Sequence, residues 1–114
     1  KTFGQLLVEH QVVRHKLMDM RMRVFATHAW IEALIDRYDA GPLAPDAVAE
    51  LCLLKNQATQ TMQFCADQAV QILGGMGFMR GTKSERIYRE VKVMMIGGGA
   101  EEIMKDLAAR QLGL

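Results

Sequence analysis

The sequence predicts an all-α fold, an up-down four-helix bundle with two long antiparallel helices followed by two shorter ones. Three observations carry this. Apolar residues recur at alternating spacings of four and three through the first third of the chain. Glycine and proline fall mainly in three clusters, leaving long uninterrupted stretches between them. No segment alternates as a half-buried strand would, and aromatic residues make up only 6% of the chain.

The first helix is expected from about Leu6 to Asp39. Leu6, His10, Val13, Leu17, Met20, Val24, Thr27, Ile31, Leu34 and Tyr38 draw one stripe along it, about nine turns long. Arg14, Asp19, Arg21, Arg23, Glu32 and Arg37 fall mostly off that stripe. The break is Ala40-Gly41-Pro42-Leu43-Ala44-Pro45: Gly41 suits a helix end and Pro45 the first turn of the next helix. The second helix is expected to run to about Leu73, with Asp46 and Glu50 near its positive end and Leu51, Leu54, Ala58, Met62, Cys65, Ala69 and Ile72 on its inner face. Gly74-Gly75-Met76-Gly77 must end it, since each glycine weakens helix. A shorter helix is expected from about Lys83 to Val93, then a flexible turn at Gly97-Gly98-Gly99, then a last helix from about Ala100 to Gln111. Glu101 and Glu102 at its start and Arg110 near its end match the helix dipole.

With 114 residues, 50% of them hydrophobic and 24% charged, the chain is one globular domain. A formal net charge of +1 gives no general pull on nucleic acid or anionic lipid, so no nucleic-acid partner is expected. No run reaches the roughly 18 apolar residues of a membrane span. Cys52 and Cys65 lie about 20 Å apart along one expected helix, too far to join, which points to a reducing compartment. The chain begins at Lys1 without a signal peptide's apolar stretch and is expected to be a piece of a longer protein.

Few single residues carry chemistry. Gly97-Gly98-Gly99 directly precedes a helix start, where bare N–H groups bind anions and missing side chains admit a ligand; the alternative is a plain flexible turn. Neither glycine cluster is a P-loop or a dinucleotide fingerprint. His10, His15 and His28 have no second ligand at useful spacing, so no metal is expected, and His10 reads as a core or interface histidine. Cys65 has no activating partner in sequence. Glu101 and Glu102 are a possible base pair, or simply first-turn acids. Lys83, Glu85, Arg86, Arg89, Glu90 and Lys92 read as a solvated face or subunit contact, and the methionines as core.

Four stretches, in order and spanning the chain, carry a resemblance: Lys1-Thr-Phe-Gly-Gln-Leu-Leu-Val-Glu-His-Gln11, Gln71-Ile-Leu-Gly-Gly-Met-Gly-Phe78, Glu85-Arg86-Ile-Tyr-Arg89-Glu90-Val-Lys92 and Ile96-Gly-Gly-Gly-Ala-Glu-Glu-Ile103. Together they resemble the C-terminal helical domain of acyl-CoA dehydrogenases. The resemblance implies α,β-dehydrogenation of an acyl-CoA thioester, with FAD accepting a hydride from the β-carbon and an electron-transfer flavoprotein as acceptor. It also implies a homodimer or homotetramer in which one subunit's C-terminal domain reaches its partner's cofactor, in the cytoplasm or the mitochondrial matrix.

By motif position, the resemblance assigns Lys1 and Thr2 to the FAD phosphates, and His10 and Gln11 along the cofactor. It assigns Gln71, Ile72, Leu73, Gly74 and Gly75 to the adenosine end, Ala100, Glu101 and Glu102 to FAD at the last helix start, and Gly98 and Gly99 to the thioester. Two departures matter. Ala100 stands where the family has Thr, removing a hydroxyl contact. Gly98 stands where medium- and short-chain members carry the glutamate base. The pattern is that of long-chain-type members, whose base lies on an earlier helix, so none is expected within this chain. Two other readings use the same scaffold: an interaction module without flavin, and a related flavin or nitroalkane oxidase.

Overall fold

The computed structural model describes residues 1–38 and 41–114. Asp39, the expected end of the first helix, and Ala40 in the break lie outside the described residues. The chain is 79% helical. A 3-10 turn at Leu7–Glu9 precedes α1 (Gln11–Tyr38), α2 (Pro45–Leu73), the single-turn α3 (Gly75–Phe78), α4 (Lys83–Ile96) and α5 (Glu101–Gln111). The all-α expectation and its four principal helices hold.

The long pair is antiparallel. Moving up α1, its partners on α2 run backwards: Lys16 Nζ donates to Gln68 Oε1 at 2.5 Å, the Thr27 and Thr61 hydroxyls pair at 3.0 Å, and Arg37 meets Glu50 at 2.8 Å. Val13, Thr27 and Leu34 of the predicted stripe are buried. Glu50 is more than a dipole partner, because Arg37, Tyr38 (3.2 Å) and Trp30 (3.4 Å) all donate to it and tie α1 to the first turns of α2.

Four expectations need correction. First, α1 starts at Gln11, not Leu6. Glu9 accepts from the Leu6 N–H at 2.8 Å and closes a 3-10 turn, and His10 is extended, so the apolar periodicity runs across two elements. Second, the inner face of α2 is not one stripe. Leu51 and Met62 are 38% and 40% exposed, while Ala47, Ala49, Asn56, Thr59 and Thr61 are buried. The reason is that α1, α4 and α5 all pack on α2, so it is covered on several sides. Third, α4 continues to Ile96, because no breaker occurs before Gly97. Fourth, the methionines are not core: Met18, Met22, Met62, Met76, Met79 and Met94 are exposed, and only Met95 is buried.

Two small apolar clusters hold the shorter helices. Ala49 and Cys52 of α2 pack on Ala108 of α5, with Val48, Met104 and Leu107 around them. Ala66 packs on Val91 and Met95 of α4, with Ile87 alongside. Small side chains on α2 permit this close approach from two directions. Cys52 and Cys65 are both free thiols, and burial pushes the Cys65 thiol up against the opposing effect of Arg23.

Candidate functional site

The residues singled out in the sequence gather in two places. The first is the end where α1 begins and α2 finishes. Thr2 and Gln5 exchange backbone bonds of 2.9 and 3.1 Å around Phe3 and Gly4, whose φ values of +52° and +79° are the left-handed pair of a two-residue hairpin turn. The His10 ring donates to the Thr2 carbonyl at 3.3 Å, so Lys1 and Thr2 are folded back onto the entrance of α1. Arg14 holds the 3-10 turn that follows through the carbonyls of Glu9 (2.6 Å) and Val8 (3.3 Å). Gln11 opens α1 and is exposed, its amide 3.4 Å from the His15 ring. Antiparallel packing sets Gln11 level with the last turn of α2, near Gln71, Ile72 and Leu73.

At that end Gly74 closes α2 with φ +62°, and its N–H bonds the Val70 carbonyl at 2.9 Å. The glycine run ends α2 as expected, and the single-turn α3 forms at once from Gly75. A side chain on Gly74 or Gly75 would meet nothing within 4 Å, so both present bare backbone to whatever lies outside. Gly77 is small for another reason, since a Cβ there would come within 2.8 Å of both Leu73 Cβ and the Val70 carbonyl oxygen. Beside this corner runs an open groove of about 610 Å³, lined by Gln71, Phe78, Met79 and Tyr88 and by two bases, Arg80 and Arg89, balanced by two acids, Asp67 and Glu85. Largely apolar walls with a few polar groups suit a flat, partly apolar ligand. Hydrogen bonding from Arg89 holds the Glu85 carboxyl below its ordinary range.

The second place is the turn from α4 to α5. Gly98 and Gly99 have φ of +70° and +116°, and a Cβ on Gly98 would meet nothing within 4 Å. Ala100 caps α5 without a side-chain bond, so the first amides of α5 have no side-chain acceptor from the cap. Glu101 is turned aside: Lys105 Nζ donates to it at 2.6 Å, and this bond, with help from Gln60, holds its carboxyl below the ordinary range. Glu102 is exposed. Neither residue is arranged as a base pair.

The two places are far apart within one chain. Asn56 Nδ2 donates to the Glu101 carbonyl at 2.9 Å, which puts the α4–α5 turn level with the middle of α2. From Asn56 to Gln71 is about 22 Å of helix. Lys1, Thr2, His10, Gln11 and Gln71–Gly75 therefore form one group, and Gly98–Glu102 another.

Sequence reasoning missed Lys55, Asn56 and Arg80. Lys55 and Asn56 fall between the apolar positions Leu54 and Ala58, so they read as the outer face of a helix that has little outer face. Arg80 stands two residues past the quoted Phe78, and its isolation from the charged run of α4 was the only available signal.

The sequence profile of the family described as acyl-CoA dehydrogenase, C-terminal domain, matches residues 1–113. The rat mitochondrial long-chain specific acyl-CoA dehydrogenase is 31% identical over 112 residues, 98% of this chain and 25% of that protein. A cyclohexane-1-carbonyl-CoA dehydrogenase of Geobacter metallireducens is 32% identical over 98% of this chain and 29% of its own length. A crystal structure from Mycobacterium smegmatis, of a protein assigned to the acyl-CoA dehydrogenases, superposes with a TM-score of 0.91 at 38% identity, covering 99% of this chain and 29% of that one. The chain thus spans between a quarter and a third of the length of these relatives.

Proposed function

Since the chain belongs to the acyl-CoA dehydrogenase C-terminal domain family, we propose that it serves a larger enzyme that removes two hydrogens from the α and β carbons of an acyl-CoA thioester. The whole of residues 1–114 is one such domain. The observation that carries this reading is the pair of bare-backbone corners, Gly74–Gly75 and Gly98, each beside a helix end.

The residues fit FAD. Exposed glycines admit a flat ring system, uncapped amides at the start of α5 can donate to an oxygen, and the groove beside Gln71 is largely apolar with Arg80 among its lining. Lys1 and Thr2 lie along its phosphates, His10 and Gln11 follow it, and Gln71, Ile72, Leu73, Gly74 and Gly75 hold its adenosine end. Ala100, Glu101 and Glu102 meet it at α5, and Gly98 leaves room for the thioester, with Gly99 next to it covered by Met104. When bound, FAD supplies the hydride acceptor. Ala100 contributes only backbone where the family has a hydroxyl. Gly98 holds no proton, so the α-proton goes to a carboxylate outside this chain.

The separation of about 22 Å between the two corners fits a cofactor shared between subunits, each corner serving a different copy. A homodimer or homotetramer is therefore part of the proposal, as are an electron-transfer flavoprotein as acceptor and a place in the cytoplasm or mitochondrial matrix. No helix among the described residues is long and apolar enough to cross a membrane.

The test is to purify the full-length protein and look for flavin. We expect a yellow protein whose visible absorbance bleaches on adding acyl-CoA without oxygen. A colourless protein that takes up no FAD would sink the reading.

A further inference from the structure

The turn from α4 to α5 is costly to hold. Its three consecutive glycines lose more backbone freedom on ordering than any other residues would. Two of them sit at positive φ. Its own bonds are few: the Gly97 N–H reaches the Val93 carbonyl at 2.7 Å, and the Gly99 N–H reaches Ile96 at a long 3.3 Å. The helix it leads into has no side-chain cap, because Ala100 offers none.

Two adjacent residues of α2 supply what the turn lacks. Lys55 Nζ donates to the Met95 carbonyl at 2.9 Å and to the Gly99 carbonyl at 2.5 Å. The first belongs to the last turn of α4, where carbonyls lack helical partners and the dipole favours a cation; the second lies within the glycine turn. Asn56 Nδ2 donates to the Glu101 carbonyl at 2.9 Å, just inside α5. That bond fixes the amide's orientation, since a flip would set oxygen against oxygen. It leaves Asn56 Oδ1 buried with no partner among the described residues, in a residue only 4% exposed.

We propose that Lys55 and Asn56 are positioning residues that clamp the Gly97–Glu102 turn from the middle of α2 by donating to carbonyls on both sides of it. Lys55 joins the end of α4 to the turn, and Asn56 joins the turn's far side to α5. Because the two are neighbours on one helix, the three anchor points move together, and the first amides of α5 keep a single direction. The catalytic consequence rests on the proposed flavin and thioester roles of this turn; the clamp itself does not.

The experiment uses the full-length protein as wild type, Lys55→Met and Lys55→Arg. Backbone amide exchange across residues 97–103 reads the clamp directly. In Lys55→Met we expect it to quicken about tenfold, with exchange in α1 unchanged, as loss of a charge-assisted bond implies. We expect kcat to fall about tenfold with KM and flavin content nearly unchanged, since loosened positioning acts on the transition state. Lys55→Arg, which still presents two donors to the two carbonyls, should recover most of both. Unchanged exchange in Lys55→Met would overturn the clamp. A kcat loss that Lys55→Arg does not recover, or a lower melting temperature with kcat intact, would overturn its catalytic role. A wild type without flavin would overturn the proposed function and the catalytic role together, while the exchange result would still decide the clamp.

Discussion

Gly74, Gly75 and Gly77 look alike in sequence and differ in the folded chain. Gly74 is needed for its positive φ, Gly77 for its contact with α2, and Gly75 for neither. Gly77→Ala should therefore lower stability by about 1–3 kcal/mol, because the added methyl meets a backbone oxygen that cannot swing away. Gly75→Ala has open space and helical dihedrals, so its melting temperature should hold or rise slightly. If FAD lies against that backbone, the same variant should lose flavin on gel filtration, which separates a ligand role from a structural one. Denaturant unfolding and flavin retention of the two full-length variants check this. A Gly77→Ala protein as stable as wild type would show that α3 shifts freely. The Thr27–Thr61 bond is a second residue-scale case. Thr61→Val leaves a buried hydroxyl on Thr27 without its partner and should cost about 1–3 kcal/mol. The double change Thr27→Val/Thr61→Val should cost less than the single changes added together. An additive result would mean the hydroxyls do not interact.

At the scale of elements, legibility followed the number of neighbours each helix has. α1 packs mainly on α2, so one stripe marked the side that faces it, with Val13, Thr27 and Leu34 buried, although Val24 and Ile31 of the same stripe are exposed. α2 has neighbours on several sides, so no single periodicity described it, and its buried Asn56, Thr59 and Thr61 read as solvent-facing. The glycine turns were legible as boundaries, since nothing else ends helices this apolar. The fixing of the Gly97–Gly99 turn was not, because the groups that hold it come from residues about 40 positions earlier in the chain. The shorter helices are laced by pairs one turn apart, Glu85 with Arg89 and Glu101 with Lys105. In both, the bond from the base lowers the carboxyl from the ordinary glutamate value of 4.5. Protonation is then harder in the folded chain than in the unfolded one. The contribution is complete above about pH 4.5 and is lost as pH falls through the lowered folded values. Replacing Glu101 with Gln should flatten the acid limb of a melting-temperature profile by removing stability above about pH 4.5, with the variant and wild type converging at low pH. A profile parallel to wild type throughout would show that Glu101 does not sense this linkage.

On the scale of the whole molecule, the chain does not close upon itself. Its accessible surface is 8038 Å². A compact monomer of this mass, 12.8 kDa, would expose about 6,300 Å². Its radius of gyration is 17.6 Å, against about 13 Å for a compact chain of this length. The surplus is largely apolar. Met18, Met22, Phe25 and Ile35 stand more than half exposed on α1, and Val93, Met94 and Ile96 do so on α4. Methionine suits surfaces that must conform to a partner. An excess of about 1,700 Å² is comparable to the area a standard protein interface buries in total. Both corners of the candidate site lie on this incompletely covered body, so one deficit describes the fold and the site alike. The 114 residues produced alone should accordingly self-associate, and the full-length protein should form a stable oligomer. Sedimentation across a hundredfold concentration range reads this: the isolated domain's mean mass should rise with concentration. A domain that stays a clean monomer with a sharp melting transition would show that the exposed apolar faces tolerate water, and would remove the argument that the two corners serve different copies.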